Sequence, residues 1–196
     1  MFKHNYVRCA VGLLLSVALF SGALAQGYKG SDGNSFGDKL PGRWLIDTVI
    51  NQEAPKIAHK AVQEFMANGA MNEDGQVIIW LVDQAGDQLE MACRMRSTYD
   101  WETKGAYLYQ RSIDVSISPD YFKINGKVSD NKQTLTNFCN TASKVFIGNR
   151  AKGKTSEYKI LQIDQVKIVY ESKDENGKAV RQTDFRTEKS FSAYRE

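Results

Sequence analysis

The chain has 196 residues, 42% of them hydrophobic, with 26 Lys and Arg against 23 Asp and Glu and a formal net charge of +3. That length suits one domain with a substantial core. The near balance of charge speaks against a dedicated nucleic-acid binder, which carries a strong basic surplus.

The first segment, MFKHNYVRCAVGLLLSVALFSGALAQ, has three zones. Lys3 and Arg8 make a positive front, Cys9 to Phe20 is almost entirely apolar, and Ala23 and Ala25 stand where a signal peptidase reads small residues. This pattern predicts a signal peptide over residues 1–25, cleaved after Ala25, and hence an exported protein, periplasmic or secreted. The apolar run is short for a membrane span, which needs about 20 residues, and no later segment is long and apolar enough, so no transmembrane segment is expected after cleavage. Losing Lys3 and Arg8 leaves 24 basic and 23 acidic residues, close to neutrality.

Residues 26–39, QGYKGSDGNSFGDK, are Gly-rich and without periodicity, and read as a flexible leader. The GNSFG within it matches a nucleophile elbow in letters only. An elbow needs a strand before it and a helix after it, and the one His beyond residue 25, His59, precedes the acids in the wrong order. A single domain is expected over residues 40–196. Trp44, Ile46, Thr48 and Ile50 alternate with Leu45, Asp47 and Val49, which predicts a first strand. A helix is expected next, over EAPKIAHKAVQEFMANG: Pro55 suits a first turn, Ile57, Ala61 and Phe65 form a stripe, and Gly69 suits the stop.

Short strands then follow one another. QVIIWLVD and QLEMACRMRS flank the turn QAGD, GAYLYQRSIDVSI follows, and DYFKINGKV holds Asn125-Gly126, a strong hairpin signal. NKQTLTNFCNTAS fits either a short helix or a loop. EYKILQID and VKIVYES pair about Asp164-Gln165, and AVRQTDF comes last. About eight strands spaced by turns, with one helix after the first strand, predict a mainly all-β fold, an antiparallel β-barrel.

The residues that carry chemistry point away from catalysis. Cys93 and Cys139 remain after cleavage, and an even count in an exported chain suggests one disulfide, the alternative being two buried thiols. One His removes His-based triads and most zinc chemistry, so no metal, no cofactor and no catalytic residue are expected. Asp100 and Glu102 about Trp101, and Asp83 and Asp87 about a turn, read as polar loops. GNRAKGKT, residues 148–155, spells a phosphate-binding loop, but such a loop sits between a strand and a helix. Here an Ile-, Val- and Tyr-rich strand follows it, and the match is read as chance within an exposed basic loop.

Gly42 and Trp44 in PGRWLID, the hairpin YKILQIDQVKIVYES and the ending FSAYRE together resemble the lipocalin-like (calycin) barrels. The resemblance implies that Trp44 closes the barrel floor beside Gly42, with Arg195 or Arg186 capping it. It also implies an interior able to hold one small apolar ligand, the alternative being a filled core. Inward candidates are Ile46, Trp80, Met91, Tyr107, Tyr109 and Ile113. Two functions follow: a binding barrel for a small apolar ligand, or an inhibitor- or immunity-type module that meets an exported protein partner through loops bearing Trp101, Arg150, Lys152 and Lys154, with no role for nucleic acid.

Overall fold

The computed structural model describes residues 36–51, 55–149, 151–173 and 177–194; the expected signal peptide, most of the leader, Arg150 and Arg195 lie outside them. Among the described residues nine strands form in chain order: β1 (Gly42–Asn51), β2 (Lys56–Phe65), β3 (Ala70–Val82), β4 (Gln88–Lys104), β5 (Tyr107–Ile124), the two-residue β6 (Lys127–Val128), β7 (Thr155–Ile163), β8 (Lys167–Lys173) and β9 (Ala179–Arg186). The one α-helix among the described residues, α1 (Lys132–Asn149), stands between β6 and β7. Every pairing is antiparallel. β4 pairs with β5 and β1 with β9, so β1-β2-β3-β4-β5-β7-β8-β9 closes into an eight-stranded barrel with no free edge in the ring. The expected fold class is the one the chain adopts.

The turns form where the sequence signals them. Asn125 and Gly126 both take positive φ between β5 and β6, as a primed two-residue turn requires. Asp164 turns β7 into β8 by accepting the backbone N–H groups of Val166 and Lys167 at 2.8 and 2.9 Å.

The helix is in a different place from the one expected. Residues 56–65 are strand β2, not helix, held between β1 and β3 along its length. Ile57, Ala61 and Phe65 lie four apart, a spacing that fits a helical stripe and one face of a strand equally well. Ala58 and Val62 on the other face are buried too, which erased the alternation that marks a strand. The actual helix begins where Asn131 Oδ1 accepts the Thr134 backbone N–H at 3.1 Å, an N-cap. It buries Leu135, Phe138, Cys139 and Ala142, at i, i+3, i+4 and i+7, one helical face.

The inside of the barrel follows from register. Odd-numbered residues of β2, β3 and β4 face each other across the pairs Ile57–Ile79–Met91, Phe65–Met71–Tyr99 and those between. Two apolar clusters result. One, at the floor, gathers Leu40, Trp44, Phe65, Met71, Tyr99, Trp101, Leu108, Ile160, Ile163, Ile168 and Tyr170. The other joins Ile57, Val77, Ile79, Met91, Cys93, Met95 and Phe122 to the buried face of α1, so the helix covers that end of the barrel. A disulfide between Cys93 and Cys139 fastens it there.

At the floor, the Arg186 guanidinium lies 4.1 Å from the centroid of the Trp44 ring. It donates to the Pro41 and Lys39 carbonyls at 2.9 and 2.6 Å, while Trp44 Nε1 donates to the Leu40 carbonyl at 2.8 Å. Gly42 makes room for this: at φ +124°, a Cβ there would stand 2.3 Å from Arg186 Nη1. Gly42, Trp44 and Arg186 therefore meet at one end of the barrel.

Candidate functional site

Between the two apolar clusters the inward positions turn polar. β2 supplies His59 and Gln63, β3 Glu73, β4 Ser97, β5 Gln110 and Ser112, and β9 Asp184, all buried. They come together because each occupies the inward parity of its strand: Gln63 pairs with Glu73, and Glu73 with Ser97, across three adjacent strands. Buried polar groups persist when bonded to one another, and most of these are. Gln63 Nε2 donates to Glu73 Oε2 at 2.6 Å, and His59 Nε2 is 3.7 Å from Glu73 Oε1. On the opposite wall, Tyr170 Oη and Gln182 Nε2 donate to Asp184, the latter at 2.8 Å.

Electrostatics tie the two walls together. Burial pushes the Asp184 carboxyl up to about 6, against hydrogen bonds from Tyr170 and Gln182, and the negative charge of Glu73 raises it further. The same surroundings raise the Tyr170 hydroxyl well above its ordinary value: burial first, then Asp184, with smaller contributions from Tyr158 and Glu73. The Glu73 charge is thus felt at Asp184. Ser97 stands apart: it is 3% exposed, and its Oγ has no hydrogen-bond partner among the described residues. An unpaired buried hydroxyl costs about 1–3 kcal/mol.

The candidates expected to line the interior divide. Met91 faces inward and is buried, as is Ile46. Trp80, opposite Glu90 and Lys56 on the outward parity of β3, lies outside with the Lys56 ammonium 5.3 Å from its ring. Tyr107 and Tyr109 also point outward, their neighbours on β7 being Lys159 and Glu157. The reason is a bulge: register slips between the Thr98–Asp114 and Tyr99–Ser112 pairs, leaving Ile113 as the extra residue. Leu108, Gln110 and Ser112 are buried before it, and the phase then switches, so that Val115 and Ile117 pack inward after it.

The expected interaction loop is corrected as well. Trp101 belongs to strand β4, is fully buried, and donates Nε1 to the Met66 and Ala70 carbonyls at 3.0 Å each. Its acidic neighbours Asp100 and Glu102 are simply the outward positions on either side. Lys152 is exposed and Lys154 half-buried in the turn before β7. GNRAKGKT thus runs from the end of a helix into a strand, the reverse of a phosphate-binding loop. No cluster of His, Cys, Asp and Glu suited to a metal occurs among the described residues, and no helix among them is long and apolar enough to cross a membrane.

Sequence reasoning missed Gln63, Glu73, Ser97 and Asp184. Glu73 in NEDGQ and Asp184 in RQTDF look like ordinary exposed acids. Counting by twos from Met71 to Val77, or back from Arg186, places both inside.

The sequence matches no protein-family model and no curated protein.

Proposed function

We propose that the protein is an exported, lipocalin-like binding barrel that holds one small molecule in its interior. The observation that carries this reading is the band of buried polar side chains, Gln63, Glu73, Ser97 and Asp184, enclosed between two apolar clusters. A barrel of about eight strands has an interior that side chains can fill or that one small ligand can share. Sites of that kind join apolar walls to a few convergent polar groups. A chain selected only for stability gains nothing from burying two carboxylates and an unbonded hydroxyl there. The expectation of a purely apolar ligand is therefore refined: an apolar body against Trp44, Tyr158 and Tyr170, and a polar end in the band.

Kinship with the lipocalin-like barrels is supported by Gly42, Trp44 and Arg186 at the floor of a closed antiparallel barrel. Export is supported by the three-zone N-terminal segment and by the Cys93–Cys139 disulfide, which suits an oxidising compartment. Binding rather than catalysis is favoured because the interior acids are held by Gln63, Gln182 and Tyr170. The reading as a loop-mediated inhibitor loses its aromatic anchor with Trp101 inside the barrel.

Native mass spectrometry of the protein recovered from its export compartment tests the proposal. A reproducible small-molecule mass, lost on denaturation, is expected. A chain that is always free of ligand and takes up none from an extract of its own cells would overturn it.

A further inference from the structure

The ring of strands is held least where its two ends meet. Among the described residues β1 pairs with β9 only through Trp44–Arg186 and Leu45–Phe185, whereas every other junction of the ring is longer. Arg186 turns its N–H to the Val166 carbonyl, on the β8 side, at 2.7 Å. Alternation along an antiparallel ladder then puts the bonds across the seam on Leu45 and Phe185. Asp184, the next residue along β9, is buried and belongs to the polar band, so the band begins where the pairing stops.

Residues 187–194 run on from β9 across the outside of the wall. The Thr187 N–H donates to the Arg43 carbonyl on β1 at 2.9 Å. Arg43 answers through Nη1 to the Glu188 carbonyl at 3.3 Å and through Nε to Glu64 on β2 at 3.1 Å. Phe191 then opens a 3-10 turn, Phe191–Tyr194, and its ring lies 4.7 Å from the Arg94 guanidinium. Arg94 stands between the inward residues Cys93 and Met95 of β4, so it points outward. Two of its nitrogens pair with Asp74 of β3. Phe191 is therefore outside the barrel and yet only 3% exposed. A ring buried against the outer wall under a cation is an anchor, and it ties β9 to β3 and β4 past β1 and β2.

We propose that residues 187–194 are a latch, which holds the β1–β9 seam shut from outside and whose release at Phe191 opens the barrel there before the rest of it unfolds. Such an opening breaks one short ladder and undocks one ring, so it costs less than global unfolding. Asp184 is the first group of the polar band that it uncovers. The latch stands whether or not the interior carries a ligand.

The test is amide hydrogen exchange of the disulfide-bonded protein, followed residue by residue by NMR in low denaturant. In the wild type, Leu45 and Phe185 should exchange through an opening that depends less on denaturant than the one exposing Val77 and Cys93 in β3 and β4. Phe191→Ala should quicken exchange at Leu45 and Phe185 at least about ten-fold more than at Val77 and Cys93. Equal quickening at both places would make Phe191 an ordinary part of the core, and no quickening at the seam would make the tail a passive appendage. Either result overturns the latch. Where Phe191→Ala does not fold, the wild-type comparison decides. Seam amides with the same denaturant dependence as Val77 and Cys93 open only with the whole barrel, and the latch is then overturned.

Discussion

Arg186 lies over Trp44, 4.1 Å from guanidinium to ring centroid, and joins the last strand of the barrel to the first. The contact closes a ring whose two ends are far apart in sequence. It does so through charge on a ring face, two bonds to the backbone at Lys39 and Pro41, and the indole's own bond to Leu40.

Arg186→Ala should therefore destabilise the barrel by about 1–3 kcal/mol, combining a partly desolvated cation–π contact with the lost charge-assisted bonds. Arg186→Lys should recover only part of this, because an ammonium cannot lie flat on the ring and bond both carbonyls. Urea midpoints of the three proteins check it; equal losses for Ala and Lys would place the effect elsewhere.

Gly42 is the other half of that floor. Gly42→Ala puts a Cβ 2.3 Å from Arg186 Nη1 at a φ of +124°, so both the backbone and the guanidinium must move. A loss of about 1–3 kcal/mol is expected. In an Arg186→Ala background the steric share should vanish, leaving the backbone share, and a double-mutant cycle measures the difference.

The barrel was legible because turns and alternation agree along most of the chain. Asn125-Gly126 and Asp164-Gln165 mark hairpins by mechanisms that hold locally, through positive φ and a carboxylate bonding its own turn. What failed were places where two periods coincide or where a phase breaks. Strand β2 is buried on both faces, so its Ile57–Ala61–Phe65 stripe reads as helix. Helix α1 shows its period only through Leu135, Phe138, Cys139 and Ala142, set among Thr and Asn that favour helices weakly. The interior was misassigned for a third reason. The bulge at Ile113 inverts the inside and outside of β5, and nothing local in RSIDVS announces it. Glu73 and Asp184 were passed over because a lone acid in a strand is ordinarily exposed.

Asp184 should make stability depend on pH. Its carboxyl is raised to about 6 in the folded barrel, chiefly by burial, from an ordinary value of 3.8. The native state then binds the proton more tightly than the unfolded chain between those values, so this group favours folding below about pH 4 and loses its contribution as pH rises through 6. Asp184→Asn keeps one acceptor oxygen, for Gln182, and offers an N–H to the Tyr170 oxygen in place of the other, but cannot ionise. Its advantage over the wild type should be near zero at pH 4 and grow to about 1–3 kcal/mol above pH 6. Denaturant midpoints across that range read it, and an advantage that shrinks with rising pH would contradict the assignment.

The disulfide links two parts of the molecule that serve different ends, the inward face of β4 and the helix over the barrel. It closes a loop with a sequence separation of 46, which in the chain-entropy model is about 4 kcal/mol of stability. Cys93→Ser/Cys139→Ser should lose an amount of that order, and the loss should not be uniform. Floor residues around Trp44 and Trp101 keep their contacts, while Leu135, Phe138 and Ala142 keep only apolar packing. Hydrogen exchange of the reduced protein should therefore quicken across residues 132–144 well before it quickens in β1 or β9. Exchange that rises equally at floor and helix would instead show that the bridge stabilises the barrel as a whole and holds no separate lid.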